Sequence, residues 1–195
     1  MSEQTPKIDV SIHDKENPER IFRGYMENLK LSPEDFNKKI LDVGSGAGHF
    51  AKWAKEHGLS SNIFSVDKHN ADSGTPNVVR GESDKLPFKD ESFDLVISNN
   101  SMPMLLYFSE IPQKAIKEML SEMLRVVKAN GEIRLAPVAE WKKTESLRDS
   151  FKSFNDEMEA LKKEQGVEIE QISLGKSKYS EGELEEFLYK IKKLR

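Results

Sequence analysis

The chain has 195 residues, of which 33% are charged and 36% hydrophobic, and its formal net charge is −4. This length favours one domain with an ordinary core, and the lack of cysteine excludes disulfides and thiolate metal sites. No apolar run approaches the roughly 18 residues of a membrane span, the first residues lack a secretory pattern, and the negative charge offers nucleic acid no general attraction. We expect a cytoplasmic protein that binds neither membrane nor nucleic acid; the sequence indicates no oligomeric state.

Helix-start signals dominate the first part of the chain. Asn17-Pro18 combines an N-cap residue with a first-turn proline, and the same kind of signal recurs at residues 32–35. Apolar residues follow the first signal at helical spacing: Ile21, Phe22, Tyr25, Met26 and Leu29. We expect residues 1–38 to form a helical cap or lid on a domain over residues 39–195.

Short apolar segments then alternate with helical patterns. The predicted strands cover residues 39–43, 62–66, 77–80, 93–98, 132–138 and 167–174. The predicted helices cover residues 49–57, 109–128 and a segment that begins after Thr144. This alternation predicts an α/β fold with a doubly wound, mostly parallel sheet and helices on both faces.

A last helix is predicted near the end of the chain. Ser180-Glu181-Gly182-Glu183 has the pattern of a capping box. Apolar residues follow it at helical spacing: Leu184, Phe187, Leu188 and Ile191.

Three glycines lie where the first strand turns into a helix. Gly44, Gly46 and Gly48 permit positive φ angles and the close approach of a ligand, and the helix start offers free N–H groups to negative charge. The pattern alone predicts a nucleotide-like ligand, with a ligand-free tight turn as the alternative. His49 is too large for the sixth position of a dinucleotide-binding motif, and no Gly-Lys-Ser/Thr follows as in a P-loop.

The remaining pattern, Asp-x-Gly-x-Gly-x-Gly, resembles the class I S-adenosylmethionine-dependent methyltransferase family. ILDVGSGAGHFAKWAKEHG is similar to the first motif of that family, and IFSVDKHN is similar to the second. VVRGESDKLPFKDESFDLVISNN resembles the third and fourth motifs, and MLRVVKANGEIRLAPV resembles the helix and strand that follow. The resemblance covers residues 39–138 in order and implies a Rossmann-like transferase with S-adenosylmethionine as its cofactor.

The resemblance also implies a role for each matching residue. Asp42 would bond to the cofactor's ammonium directly or through water, and Asp67 would accept both ribose hydroxyls. Glu82 would accept from the adenine amino group, the backbone N–H of Ser83 would face the ring, and Asn99 would lie beside the methionine part. The backbone that would pass under the cofactor comprises Gly44, Ser45, Gly46 and Gly48. Asp67 as a turn residue and Glu82 as a surface acid remain alternatives.

Three features depart from the pattern of the family. Lys68 stands at an apolar position beside the adenine, where its aliphatic stem would cover the ring. Only nine residues separate Asp67 from Asn77, so we expect the crossover helix after the second strand to be reduced to a loop or a single turn. The antiparallel last strand of the family is not recognisable, and we expect its hairpin to be short or replaced by the last helix.

The methyl acceptor is not identified, and no catalytic residue is assigned. A base is needed only if the acceptor must lose a proton; the candidates are His49, Asn99, Asn100 and Tyr107. An apolar run over residues 102–108 either lines an acceptor pocket or covers the sheet. The expected activity is methyl transfer to a small molecule, because no basic aromatic surface is evident. The alternative is a weakly active or inactive cofactor-binding module that acts through a protein partner.

Overall fold

The computed structural model describes residues 17–69, 77–102, 113–141, 145–179 and 182–194. Its helices are α1 (Pro18–Asn28), a 3₁₀ helix (Pro33–Asn37), α2 (His49–Glu56), α3 (Gln113–Val126) and α4 (Glu145–Glu164). Its strands are β1 (Ile40–Val43), β2 (Ile63–Asp67), β3 (Val78–Arg80), β4 (Phe93–Asn99), β5 (Val127–Trp141), β6 (Val167–Tyr179) and β7 (Gly182–Lys193).

The seven described strands form one sheet in the order β3-β2-β1-β4-β5-β7-β6. Strands β1 to β5 pair in parallel, and β7 runs antiparallel to both of its neighbours. This arrangement confirms the predicted doubly wound, mostly parallel sheet. The chain reverses its winding direction between β1 and β4, and this is the position at which such sheets bind ligands beyond their carboxyl ends.

The two faces of the sheet are buried against different helices. Side chains of α3 and α4 pack on one face, where Leu41 and Val43 of β1 are buried. Side chains of α1 and α2 pack on the other face, where Ile40 is buried. Because side chains alternate along a strand, Asp42 shares the face of Ile40 and lies under α1.

Both predicted helix starts before β1 are confirmed. The side chain of Asn17 accepts hydrogen bonds from the backbone N–H groups of Glu19 and Arg20, at 3.0 and 3.3 Å. The second signal produces the 3₁₀ helix, in which the Asp35 carboxylate accepts from the Ser32 N–H at 3.0 Å.

A buried arginine joins this N-terminal segment to β5. The guanidinium of Arg134 donates to the carbonyls of Leu29 and Lys30 at 3.2 and 3.0 Å. It also donates to Asp35 at 2.9 Å, and a further ion pair joins it to Glu132. The C-terminal end of α1 is therefore tied to the sheet.

The predicted last helix is wrong: residues 182–193 form the strand β7. Both faces of β7 are buried in the core, so apolar residues are needed on each of them. Tyr189 and Ile191 pack on the face of α3 and α4, whereas Leu188 packs on the face of α1 and α2. Apolar residues that serve two faces produce a spacing that imitates a helix.

Charge also favours the β6–β7 hairpin over a helix. The register places acidic residues of β6 opposite lysines of β7 and a lysine of β6 opposite an acid of β7: Glu168 with Lys192, Glu170 with Lys190, and Lys176 with Glu185. Opposite charges on neighbouring strands stabilise a register by about 0.2–1 kcal/mol per pair. The hairpin is thus long, and the expectation that it is short or replaced by a helix is also wrong.

Several predicted features lie outside the described residues. These are most of the crossover after β2, the start of the helix predicted from residue 109, the Thr144 cap and residues 103–108 of the apolar run. Among the described residues, no helix combines the length and apolar character needed to span a membrane.

Candidate functional site

The glycine turn between β1 and α2 has the predicted conformation. The φ angles of Gly44, Gly46 and Gly48 are +75°, +57° and +71°, values that side-chain-bearing residues adopt at a cost. A Cβ atom at Gly44 would lie 1.6 Å from Oγ of Ser101, but a Cβ at Gly46 would meet nothing within 4 Å. Gly44 is therefore required by the close approach of the segment after β4, whereas the backbone at Gly46 borders open space.

Asp67 connects three segments at the carboxyl end of β2. One carboxylate oxygen accepts from the N–H of Gly46 at 2.9 Å, and the other accepts from the N–H of His69 at 2.8 Å. The Asp67 carbonyl accepts from the N–H of Gly81 at 3.2 Å. Because an ionised carboxylate has about four acceptor positions, the turn role of Asp67 leaves capacity for a ligand.

Asp42 is a buried carboxylate one strand away. It has no exposed surface, and the hydroxyl of Tyr25 donates to its two oxygens at 3.0 and 3.3 Å. Burial raises the pKa of Asp42 to about 7, the Tyr25 hydrogen bond opposes this rise, and the negative charge of Asp67 adds to it. A carboxyl group in this environment changes its charge near neutral pH.

Asn99 and Ser98 occupy the carboxyl end of β4. The side-chain oxygen of Asn99 accepts from the amide of Asn28 at 3.0 Å, so α1 contacts this strand as well as β1. The Ser98 hydroxyl donates to the carbonyl of Val43 at 2.9 Å. In the glycine turn, Oγ of Ser45 is buried and has no hydrogen-bond partner among the described residues.

Lys68, Glu82 and Ser83 lie beside the end of β2. Lys68 is exposed, and its carbonyl accepts from the Arg80 side chain at 3.1 Å. Glu82 is exposed, and its backbone forms an isolated antiparallel β-bridge with that of Lys85. Ser83 is half-buried. Because Gly81 bonds to Asp67, the structure brings these residues to the same corner of the sheet as Asp67.

The loop after β3 is held by α3. The Glu122 carboxylate accepts from the N–H of Leu86 at 2.8 Å, and Arg125 donates to the carbonyls of Leu86 and Phe88 at 3.0 and 2.8 Å. Leu86 is 3% exposed and belongs to the core. Helix α3 therefore determines the position of the loop that carries Glu82 and Ser83.

Two site residues, Tyr25 and Asn28, were not predicted from the sequence. Both were assigned to a helical cap, but they lie three residues apart on α1 and donate to Asp42 and Asn99. The available signal was a tyrosine on the apolar face of a helix, because a buried tyrosine hydroxyl usually has a partner. Of the candidate bases, His49 begins α2 half-buried and Asn100 is exposed, while Tyr107 lies outside the described residues.

The glycine turn and the strands around it lie in a region of the chain that is similar to known proteins. Residues 41–135 match the family model described as a methyltransferase domain. Over these residues, just under half of the chain, the protein is similar to the class I methyltransferases. The cofactor that this domain indicates is S-adenosylmethionine.

Individual relatives cover different shares of the chain. A phthiotriol/phenolphthiotriol dimycocerosates methyltransferase of Mycobacterium ulcerans is 27% identical over 154 residues, which is 71% of this chain and 54% of the relative. A ribosomal protein L11 methyltransferase of Prochlorococcus marinus is 30% identical over 128 residues, 63% of this chain and 41% of the relative. The chain thus spans about half the length, or less, of these curated relatives.

Solved structures share the fold at low identity. A S-adenosylmethionine-dependent methyltransferase from Methanosarcina mazei superposes with a TM-score of 0.55 at 17% identity, covering 84% of this chain and 98% of that one. This likeness supports the fold.

The residues at the carboxyl ends of β1 and β2 fit the chemistry of the cofactor. Asp42 offers a negative charge to an ammonium group, and Asp67 retains acceptor capacity for two hydroxyls. The unpartnered Oγ of Ser45 is a further hydrogen-bonding group at the turn. The positive-φ backbone at Gly46 leaves room for a ligand.

Proposed function

We propose that this chain transfers the methyl group of S-adenosylmethionine to a small-molecule acceptor beyond the carboxyl ends of β1 and β4. One observation carries the proposal: two carboxylates, Asp42 and Asp67, lie at neighbouring strand ends, and Asp67 bonds to the glycine turn at Gly46, where the backbone borders open space. When bound, the cofactor supplies a methyl group already activated by a sulfonium. The task of the protein is then to orient the reactants, a contribution that reaches effective molarities of about 10⁵–10⁸ M.

The proposed roles divide between the two ends of the cofactor. Asp42 attracts the ammonium and Asn99 lies beside the methionine part, while Asp67 accepts the ribose hydroxyls. The glycine turn passes beneath the cofactor with a backbone that bears no Cβ at three positions: Gly44, Gly46 and Gly48.

The adenine end is assigned to the loop after β3. Glu82 accepts from the amino group, the Ser83 N–H faces the ring, and the stem of Lys68 covers it. The exposure of Lys68 and Glu82 supports this assignment, because both side chains are free to order around a ligand.

The small size of the acceptor is inferred from the chain itself. The net charge of −4 disfavours a nucleic-acid substrate. The names of the two relatives designate a dimycocerosate and a ribosomal protein, so we do not transfer an acceptor from either of them. We further propose that residues 1–38 act as a cap on a domain over residues 39–195 and that the protein is cytoplasmic.

Calorimetry with S-adenosylmethionine, S-adenosylhomocysteine and NAD tests the proposal. We expect both sulfur nucleotides to bind and NAD not to bind. Asp67→Asn removes one charged acceptor, and a charge-assisted hydrogen bond contributes about 1.5–3 kcal/mol, so affinity should fall at least about tenfold. Asp156→Asn, the same change on the exposed side of α4, is the matched control. Failure of both sulfur nucleotides to bind the unaltered protein would refute the proposal.

Turnover is tested separately with a panel of small amine, hydroxyl and carboxyl acceptors. Release of S-adenosylhomocysteine that depends on one acceptor class identifies the substrate. Tight cofactor binding without turnover across the panel favours the partner-dependent module instead.

A further inference from the structure

The contact between α1 and β1 is the most unusual feature of the site. Tyr25 and Asp42 are both buried, at 5% and 0% exposure, and one hydroxyl group spans the two carboxylate oxygens at 3.0 and 3.3 Å. None of the roles proposed for the cofactor-binding residues requires this hydroxyl. A phenylalanine would fill the same apolar space without it.

The surrounding core fixes the position of Tyr25. Its ring stacks on Phe50 with a centroid distance of 4.3 Å and an interplanar angle of 7°. One turn further, Asn28 donates to Asn99, and Arg134 holds the last carbonyls of the segment. The ring contact and these hydrogen bonds therefore hold the Tyr25 hydroxyl at the carboxylate.

We propose that Tyr25 is a positioning residue that keeps the Asp42 side chain oriented and negatively charged for the cofactor's ammonium. This inference rests on the proposed function of the site. Tyr25 acts through Asp42, and its hydroxyl takes no part in methyl transfer. Helix α1 thereby contributes to cofactor affinity through the charge of a strand residue.

The electrostatics of the pair support this role. Two titratable groups act on Asp42: Tyr25 from α1, which lowers its pKa, and Asp67 from β2, which raises it. The residues paired with Asp42 in the sheet, Ser65 on β2 and Ile97 on β4, are uncharged. The pKa of Tyr25 lies well above 10, mainly because of burial, so the hydroxyl remains a donor at every pH of interest.

Removal of the hydroxyl therefore changes how affinity depends on pH. With the pKa of Asp42 at about 7, cofactor affinity of the unaltered protein should fall roughly tenfold between about pH 8.5 and pH 6, as the carboxylate is protonated. In Tyr25→Phe the opposing hydrogen bond is lost, so the midpoint should move to higher pH. Affinity should then be reduced at neutral pH and approach that of the unaltered protein in alkaline buffer.

The experiment measures S-adenosylhomocysteine binding by calorimetry over this pH range. The matched control is Tyr189→Phe, which removes another buried tyrosine hydroxyl. That hydroxyl bonds to Asn155 at 2.5 Å on the opposite face of the sheet, which α3 and α4 cover. We expect Tyr189→Phe to follow the unaltered protein and Asp42→Asn to bind weakly at all pH values. An unchanged midpoint in Tyr25→Phe, or an equal loss of affinity at every pH, would overturn the proposal.

A double variant covers the case in which Tyr25→Phe does not fold. In the Asp42→Asn background no buried charge depends on Tyr25, so Tyr25→Phe should fold there and leave the binding profile unchanged. A pH-dependent effect of Tyr25→Phe in that background would contradict the inference.

A ligand-free measurement separates this inference from the proposed function. Carbon-13 NMR of labelled aspartate carboxyls, with Asp42 assigned by its loss in Asp42→Asn, should show a higher titration midpoint in Tyr25→Phe. If the unaltered protein binds no sulfur nucleotide but this midpoint moves, the function is refuted and the coupling between Tyr25 and Asp42 stands. If the midpoint does not move, the inference fails whatever binds.

Discussion

Replacing Asp42 by asparagine should change the pH dependence of stability. The pKa of the buried carboxyl is raised from 3.8 to about 7 in the folded protein. A group whose pKa is raised by folding stabilises the protein fully below its unfolded pKa, and this contribution is lost as pH rises through the folded pKa. Asp42 should therefore stabilise the folded state less at pH 7 than at pH 5.

The size of the effect follows from the same pKa. One pKa unit corresponds to about 1.36 kcal/mol. Between about pH 5 and pH 7, Asp42 is mostly protonated in the folded protein and ionised in the unfolded protein. The free energy of unfolding of the unaltered protein, relative to Asp42→Asn, should fall by about 2 kcal/mol over this interval. For a chain of this length that is a relative change in Tm of about 4–8 °C.

Urea unfolding followed by tryptophan fluorescence at both pH values measures this difference. The two proteins share every other titratable group, so the difference between their free energies of unfolding gives the contribution of Asp42. A difference that is the same at both pH values, or that grows with pH, would refute the assignment of a raised pKa. We also expect Asp42→Asn to be the more pH-tolerant protein and the weaker cofactor binder, because functional sites often retain costly charges.

Three further substitutions test the packing of the fold. Gly44→Ala should destabilise the protein by about 3 kcal/mol or more, because residue 44 has a positive φ and the new Cβ would lie 1.6 Å from Oγ of Ser101. Adding Ser101→Gly should remove this clash and leave a cost of about 1–2 kcal/mol in thermal unfolding. Arg134→Leu should cost about 1.5–3 kcal/mol in urea unfolding, because Asp35 loses its buried charged partner and keeps only the more exposed Lys38, and full stability would argue against this role. Lys192→Glu should destabilise the sheet by about 0.2–1 kcal/mol per pair, and Glu168→Lys should restore only the β6–β7 part, because residue 192 also lies opposite Glu132 of β5. A double-mutant cycle without coupling between residues 168 and 192 would contradict the register.

Much of the fold was predictable because local patterns agree with it. The strand ends at Val43 and Arg80 and the caps at Asn17 and Gly58 follow from residues close in sequence. The sheet order then follows from rules for parallel strands joined by helices. Where residues next to an element in the chain set its boundary, the prediction from sequence agrees with the structure.

The strand β7 was not predictable by the same means. Leu184, Leu188 and Ile191 satisfy helical spacing, and Glu183 completes a plausible capping pattern. The deciding interactions are pairings with β5 and β6, some as far as 60 residues away in sequence. The local sequence pattern does not show that both faces of a strand will be buried in the folded protein.

The candidate site divides in the same way. The glycine turn, Asp42 and Asp67 are close to one another in the sequence or end neighbouring strands, so the family and its cofactor were predictable from their order. Tyr25 and Asn28 become site residues only because α1 packs across the carboxyl ends of β1 and β4.

The methyl donor could thus be inferred from local sequence patterns, because a glycine turn flanked by acids at strand ends has few alternatives. The last strand and the partner of Asp42 could not. Both depend on contacts between segments far apart in the chain, and burial then controls which side chains are paired and charged.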